Sequence, residues 1–153
     1  ANLAQTINVL QAVILTDKEK MLLTPTYHVM KMYQVHQDAL LLPSEVQNCD
    51  YQLGDDSLPA ISVSASKDKN EIVHISLANI HAREAKTVAV ELRGLSFSGV
   101  EAQILKSAKV QDYNTFEQPD KIQPANFKKF TRKYNFIEVE IPPFSVLVLA
   151  LKN

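Results

Sequence analysis

Four histidines, one cysteine and 17 acidic residues are the side chains from which this sequence could build a metal site, a covalent catalyst or an acid/base pair. His28 and His36 stand eight residues apart, and neither they nor His74 and His81 form a pair with recognised ligand spacing; there is no HExxH motif and no Cys/His cluster. His28 reads as a packed structural residue on a helix face, and His74, sharing a strand face with Ser76, as solvent-facing. Cys49 has no second cysteine to pair with, so an intrachain disulfide is impossible. As a nucleophile it would need a neighbouring histidine and an activating environment, and it reads instead as a partly buried free thiol. The acids fall in turns (Asp17, Asp55, Asp56, Asp68) or on alternating polar faces (Glu138, Glu140), where a solvated surface puts them. Acid/base work needs carboxylates from separate elements converging on one cleft. No serine sits in a nucleophile-elbow context, and with three glycines there is no phosphate-cradling loop. The residues therefore offer no catalytic group, no metal ligands and no cofactor site.

The amides are a different matter. The chain opens ANLAQTINVLQ, placing Asn2, Gln5, Asn8 and Gln11 inside an apolar run. A buried amide left unpaired costs about 1–3 kcal/mol, so each must find partners. Gln5, flanked by Ala4 and Thr6, is expected at or near the end of a strand, where barrel enzymes place ligand contacts. Bonding to local backbone is the other use of such a residue, and the residues alone leave both open. An apolar run already under way at the first residue, with no initiator Met, leads us to expect a piece of a larger protein.

Composition narrows the partners. At 153 residues the chain suits one domain, or one domain with an attached fragment, and 46% hydrophobic residues are enough for a packed core. A net charge of −1, from 16 basic and 17 acidic residues, gives no electrostatic case for nucleic acid or an anionic membrane. No apolar run approaches the roughly 18–20 residues that span a bilayer; the longest, 7–15, is broken by Asn8 and Gln11. The residues given show no signal-peptide pattern of basic start and small-residue cleavage site, which, in a piece of a larger protein, leaves the compartment open.

The elements that must position these residues divide near Pro43. Residues 1–15 suit a buried strand followed by a short helix, and 16–20 a polar turn. In MLLTPTYHVMKMY, Thr24 is an N-cap and Pro25 the first helical residue, predicting a helix over 24–34 with Tyr27, Met30 and Tyr33 on one face. From residue 39 the hydrophobic period changes to two. Strands are predicted at 60–66, 71–79, 87–92, around Ala102 and Ile104, at 137–141 and at 146–151. Turns rest on Leu58-Pro59, on 67–70 and on Ile141-Pro142-Pro143. The last strand is apolar on both faces, which requires a central position or cover from another domain. About seven short strands without intervening helices read as an antiparallel β-sandwich. Between them, 113–130 is a long loop pinned by Phe116 and Phe127, serving either as a crossover between sheets or as an arm toward a neighbouring domain or ligand.

Three stretches carry a family resemblance. ANLAQTINVLQAVILTDKEKMLLTPTYHVMKMYQVHQDALLLP resembles the segment that joins catalytic barrel to C-terminal domain in the α-L-arabinofuranosidases of glycoside hydrolase family 51. NTFEQPDKIQP and IEVEIPPFSVLVLAL resemble that family's Asn-Thr-Phe…Pro…Pro loop and its last strand containing Pro-Pro-x-Ser-Val. The resemblance runs over residues 1–151; the first 43 residues and the loop at 113–124 are its specific parts.

The resemblance implies a mainly β chain. Residues 1–43 would be the last strand and helix of a (β/α)8 barrel, and 44–153 a jelly-roll-like C-terminal β-sandwich. It also implies that the parent enzyme removes terminal non-reducing α-L-arabinofuranosyl groups from arabinan, arabinoxylan and related saccharides by a retaining mechanism. That mechanism uses two glutamates located upstream of this chain. The isolated chain is then expected to be inactive and structural, its partner being the barrel of the same polypeptide and, through it, arabinose-containing saccharide. Gln5 is the one position onto which a substrate contact carries. Exposed apolar surface left without the barrel would favour self-association into a homo-oligomer. The compartment of a bacterial parent stays open between cytoplasm, periplasm and exterior. The alternative is a non-catalytic carbohydrate-binding sandwich, against which stand the absence of Trp and only five Tyr.

Overall fold

The computed structural model describes residues 5–47 and 50–152; Asn2 and Cys49 lie outside them. The strands at the predicted positions are there. They are β6 (Ile61–Lys67), β7 (Val73–Asn79), β8 (Lys86–Glu91), β9 (Gly99–Lys106), β12 (Phe136–Ile141) and β13 (Ser145–Lys152). Short strands not anticipated from the sequence complete the set: β1 (Ile14–Asp17), β2 (Lys20–Leu23), β3 (Leu40–Leu41), β4 (Asp50–Leu53), β5 (Asp56–Pro59), β10 (Ala125–Asn126) and β11 (Phe130–Lys133).

One antiparallel sheet has the order β10-β9-β13-β7-β6-β3, and a second the order β11-β12-β8. Period-two alternation explains how they pack. On β12, Ile137, Val139 and Ile141 are fully buried while Glu138 and Glu140 face out. They meet Ile75 and Leu77 of β7 and Leu147, Leu149 and Leu151 of β13 in one core. Each such side chain contributes about 1.5–3 kcal/mol on burial. The fold is the expected antiparallel β-sandwich.

The two-faced last strand has the expected central position. β13 is central, paired with β9 on one side and β7 on the other. Its outward-facing Val148 is covered by helix α1 (Pro25–Tyr33), through a second cluster of Met32, Leu105, Ile122 and Val148. Thr24 caps this helix, accepting from the Tyr27 amide, and Pro25 occupies the first turn.

Two expectations need correction. No short helix follows the opening residues: 5–13 is irregular, with a single bridge between Ile7 and Ile14, and the strand 14–17 pairs in a hairpin with β2. Asn8 and Gln11 adopt φ of 53° and 58°, left-handed values that interrupt a regular helix or strand and that asparagine tolerates. Leu58-Pro59 is not a turn but the end of β5, opposite Tyr51 and Asp50 in a hairpin whose turn is formed at Gly54, φ 62°. The 67–70 turn is as expected, with Asp68 Oδ1 accepting from the amides of Asn70 and Ile72.

Candidate functional site

Gln5 is exposed, and its side chain makes no hydrogen bond to a described residue. What holds its backbone in place is the next residue. The Thr6 carbonyl accepts from the amides of Val13 (3.1 Å) and Ile14 (3.0 Å). Asn8 reinforces the same fold-back: its Nδ2 donates to Thr16 Oγ1 and its Oδ1 accepts from the Thr16 amide, both at 2.7 Å. Thr24 then ties this segment to the helix. Its amide donates to the Val13 carbonyl (3.1 Å), and its hydroxyl lies 3.0 Å from the carbonyls of both Ala12 and Val13.

The long loop meets this junction from the other side. Asn114 is buried, and its Nδ2 donates to the carbonyls of Leu23 and Ile122, both at 2.9 Å, while Oδ1 accepts from the Ile122 amide at 2.8 Å. Both N–H groups and the carbonyl are thus used, the condition under which a buried amide stabilises rather than destabilises. Phe127, buried in the main core, pins the loop as expected, whereas Phe116 is only half-buried and Asn114 and Ile122 supply the other anchors. At the loop's base the Lys121 ammonium, 2.9 Å from Asp112, and the Ser107 hydroxyl hold the Asp112 carboxyl at about 2. Asn114 is the residue that sequence reasoning passed over, although NTFEQP drew attention to its loop.

His36 and His74 make structural contacts. His36, in a single 3-10 turn after α1, places Nδ1 2.7 Å from Ser66 Oγ and Nε2 2.6 Å from Ser76 Oγ. One ring N–H donates and the other nitrogen accepts, so neutral imidazole satisfies both serines. His74 is buried rather than solvent-facing, because α1 and the 3-10 turn cover its face of the sheet. Its Nε2–H donates to Asp68 Oδ2 at 3.1 Å, and Nδ1 has no partner among the described residues. Burial, then the nearby His74, pushes the His36 pKa below its ordinary value. A histidine whose folded pKa is depressed contributes stability that is complete above about pH 6.5 and is lost as pH falls below that value. Melting curves at pH 8 and pH 5.5 should therefore show a larger acid-induced loss for the parent chain than for His36→Gln; parallel losses would refute the assignment.

Beside α1 a groove of about 860 Å³ has Tyr27 and Lys31 on its helix wall, Gln103 and Asn126 on its sheet wall, and His74 in its floor. Among the described residues no group of three metal-capable side chains comes together. Several carboxylates lie in surface ion pairs with a cation, as Glu91 does with Arg93, Glu101 with Lys152 and Glu71 with Lys67, and not opposite a second acid.

The model of the alpha-L-arabinofuranosidase C-terminal domain matches residues 1–145. This chain belongs to that family. Over 99% of its length it is 40% identical to the intracellular exo-alpha-L-arabinofuranosidase of Bacteroides ovatus, of which it spans 30%. It superposes on the family 51 arabinofuranosidase of Xanthomonas axonopodis pv. citri with a TM-score of 0.93 and 43% identity, covering 97% of this chain and 30% of that one. The family 51 enzyme AbfB of Bifidobacterium longum shares the fold, with a TM-score of 0.85 at 19% identity over 97% of this chain and 30% of its own. The chain thus spans less than a third of these relatives and corresponds to the C-terminal domain of a glycoside hydrolase family 51 arabinofuranosidase.

Proposed function

We propose that this domain is the non-catalytic support of a retaining α-L-arabinofuranosidase. The parent enzyme removes terminal non-reducing α-L-arabinofuranosyl groups with two glutamates located upstream, in a (β/α)8 barrel. Residues 1–43 are the last strand and helix of that barrel, and Gln5 borders its sugar subsite. The observation that carries this reading is the seam between α1 and the outer face of the six-stranded sheet. There Met32, Leu105, Ile122 and Val148 fuse the Gln5-bearing segment to the sandwich. A support needs such a joint; a free-standing binding module does not.

The opposite side of the joint is also informative. Met30 sits about 200° around the helix from buried Met32 and is 50% exposed, while Leu10 (92%) and Met21 (64%) are exposed in the N-terminal segment. Such apolar surface suits the remainder of a barrel, and in its absence drives association. The groove along Tyr27 favours the second reading, a carbohydrate-binding module.

Titrating the 153-residue chain with arabino-oligosaccharides and assaying arabinofuranoside hydrolysis separates the two readings. We expect neither turnover nor saturable binding. Micromolar binding would overturn the purely structural role, and turnover would overturn the location of the catalytic pair.

A further inference from the structure

Among the described hydrogen bonds, one path runs from the loop seated on the helix–sheet cluster to the residue beside Gln5, crossing one peptide link on the way. It starts at Asn114, whose loop is seated against the helix–sheet cluster through Ile122. From Asn114 Nδ2 it passes to the Leu23 carbonyl (2.9 Å), then through the adjoining Thr24 to the carbonyls of Ala12 and Val13 (3.0 Å each). It ends where the amides of Val13 and Ile14 meet the Thr6 carbonyl (3.1 and 3.0 Å). Asn114 and Leu23 are separated by 91 positions, so this bond fixes the relative placement of two distant parts of the chain. A buried primary amide suits the task, because it offers two donors and an acceptor in one rigid plane.

We propose that Asn114 is a positioning residue for the sugar site, acting on Gln5 through Leu23, Thr24, Val13 and Thr6. This rests on Gln5 bordering the subsite as proposed above. Gln5 itself is exposed and makes no side-chain hydrogen bond to a described residue, so its placement is inherited from the backbone that carries it. Releasing the Leu23 carbonyl frees the Thr24 junction to shift, and Gln5 shifts with it. Misplacement by a fraction of an ångström to an ångström is enough to weaken a sugar contact substantially.

The test is a double-mutant cycle in the full-length enzyme, with Gln5→Ala, Asn114→Ala and the pair assayed on an aryl α-L-arabinofuranoside. Asn114→Ala should lower kcat/KM on the order of tenfold, chiefly through KM, with the melting temperature still above that of the assay. In the Gln5→Ala background the same substitution should change KM little. Additive effects would overturn the relay while leaving the Gln5 contact intact. An unchanged KM for Gln5→Ala alone would overturn the contact, and the relay with it. Should Asn114→Ala fail to fold, Thr24→Val breaks the next link and carries the same cycle. Thr24→Ser, which keeps the hydroxyl, should restore KM, and failure to restore it would overturn the relay.

Discussion

Leu149→Ala is expected to lower the unfolding free energy by about 3 kcal/mol, near the middle of the range for a buried leucine truncated to alanine. Leu149 has no exposed surface, lies in the central strand between Ile75 of β7 and Ala102 of β9, and belongs to the core closed by β12. Strands paired on both sides have little freedom to collapse into the space left behind, so both the transfer loss and the cavity penalty should be felt. For a domain of this size that corresponds to a melting temperature lower by roughly 6–12 °C in a circular-dichroism melt. A loss below about 1 kcal/mol would mean that the two sheets close around the gap and that the core is less rigidly packed than its burial implies. Isosteric Leu149→Met should cost under about 1.5 kcal/mol, which separates volume from side-chain identity.

The strand that carries Leu149 is apolar on both faces and does not alternate, but alternation made most of the rest of the sandwich legible. Ile137, Val139 and Ile141 announce a half-buried strand because each intervening residue is polar or outward-facing, and β12 falls where that pattern says. Thr24-Pro25 announces a helix start for an equally local reason. What failed was whatever depended on distant partners. His74 alternates with apolar residues on its strand, and nothing in its neighbourhood says that α1 and the 3-10 turn, some 40 residues earlier, will cover it. β3 and β10 have two residues each, too short for any period, and exist because edges of a formed sheet recruit them. The irregular stretch 5–13 looked like regular structure because apolar content was visible and the left-handed turns at Asn8 and Gln11 were not. Asn114 belongs to the same class. Its identity suits a loop, but its value lies in Leu23 and Ile122, which only the folded chain brings to it.

Val148→Asp should separate the sandwich from helix α1. Val148 neighbours Leu149 but points to the other face, where it is 7% exposed and packs with Met32, Leu105 and Ile122. Its cross-strand neighbours on that face are Ser76 and Gln103, neither of them charged. Burying a carboxylate in that seam costs several kcal/mol, and the cheaper response is for α1 to lift and let water in. The main core is left whole, because Leu147 and Leu149 on the opposite face are untouched. Hydrogen exchange should therefore show amides of 28–33 losing protection on the order of 100-fold while those of β12 and β8 keep theirs. Val148→Ala, which leaves the seam apolar, should lose far less. Uniform loss of protection across helix and both sheets would show instead that the joint and the sandwich unfold as one unit.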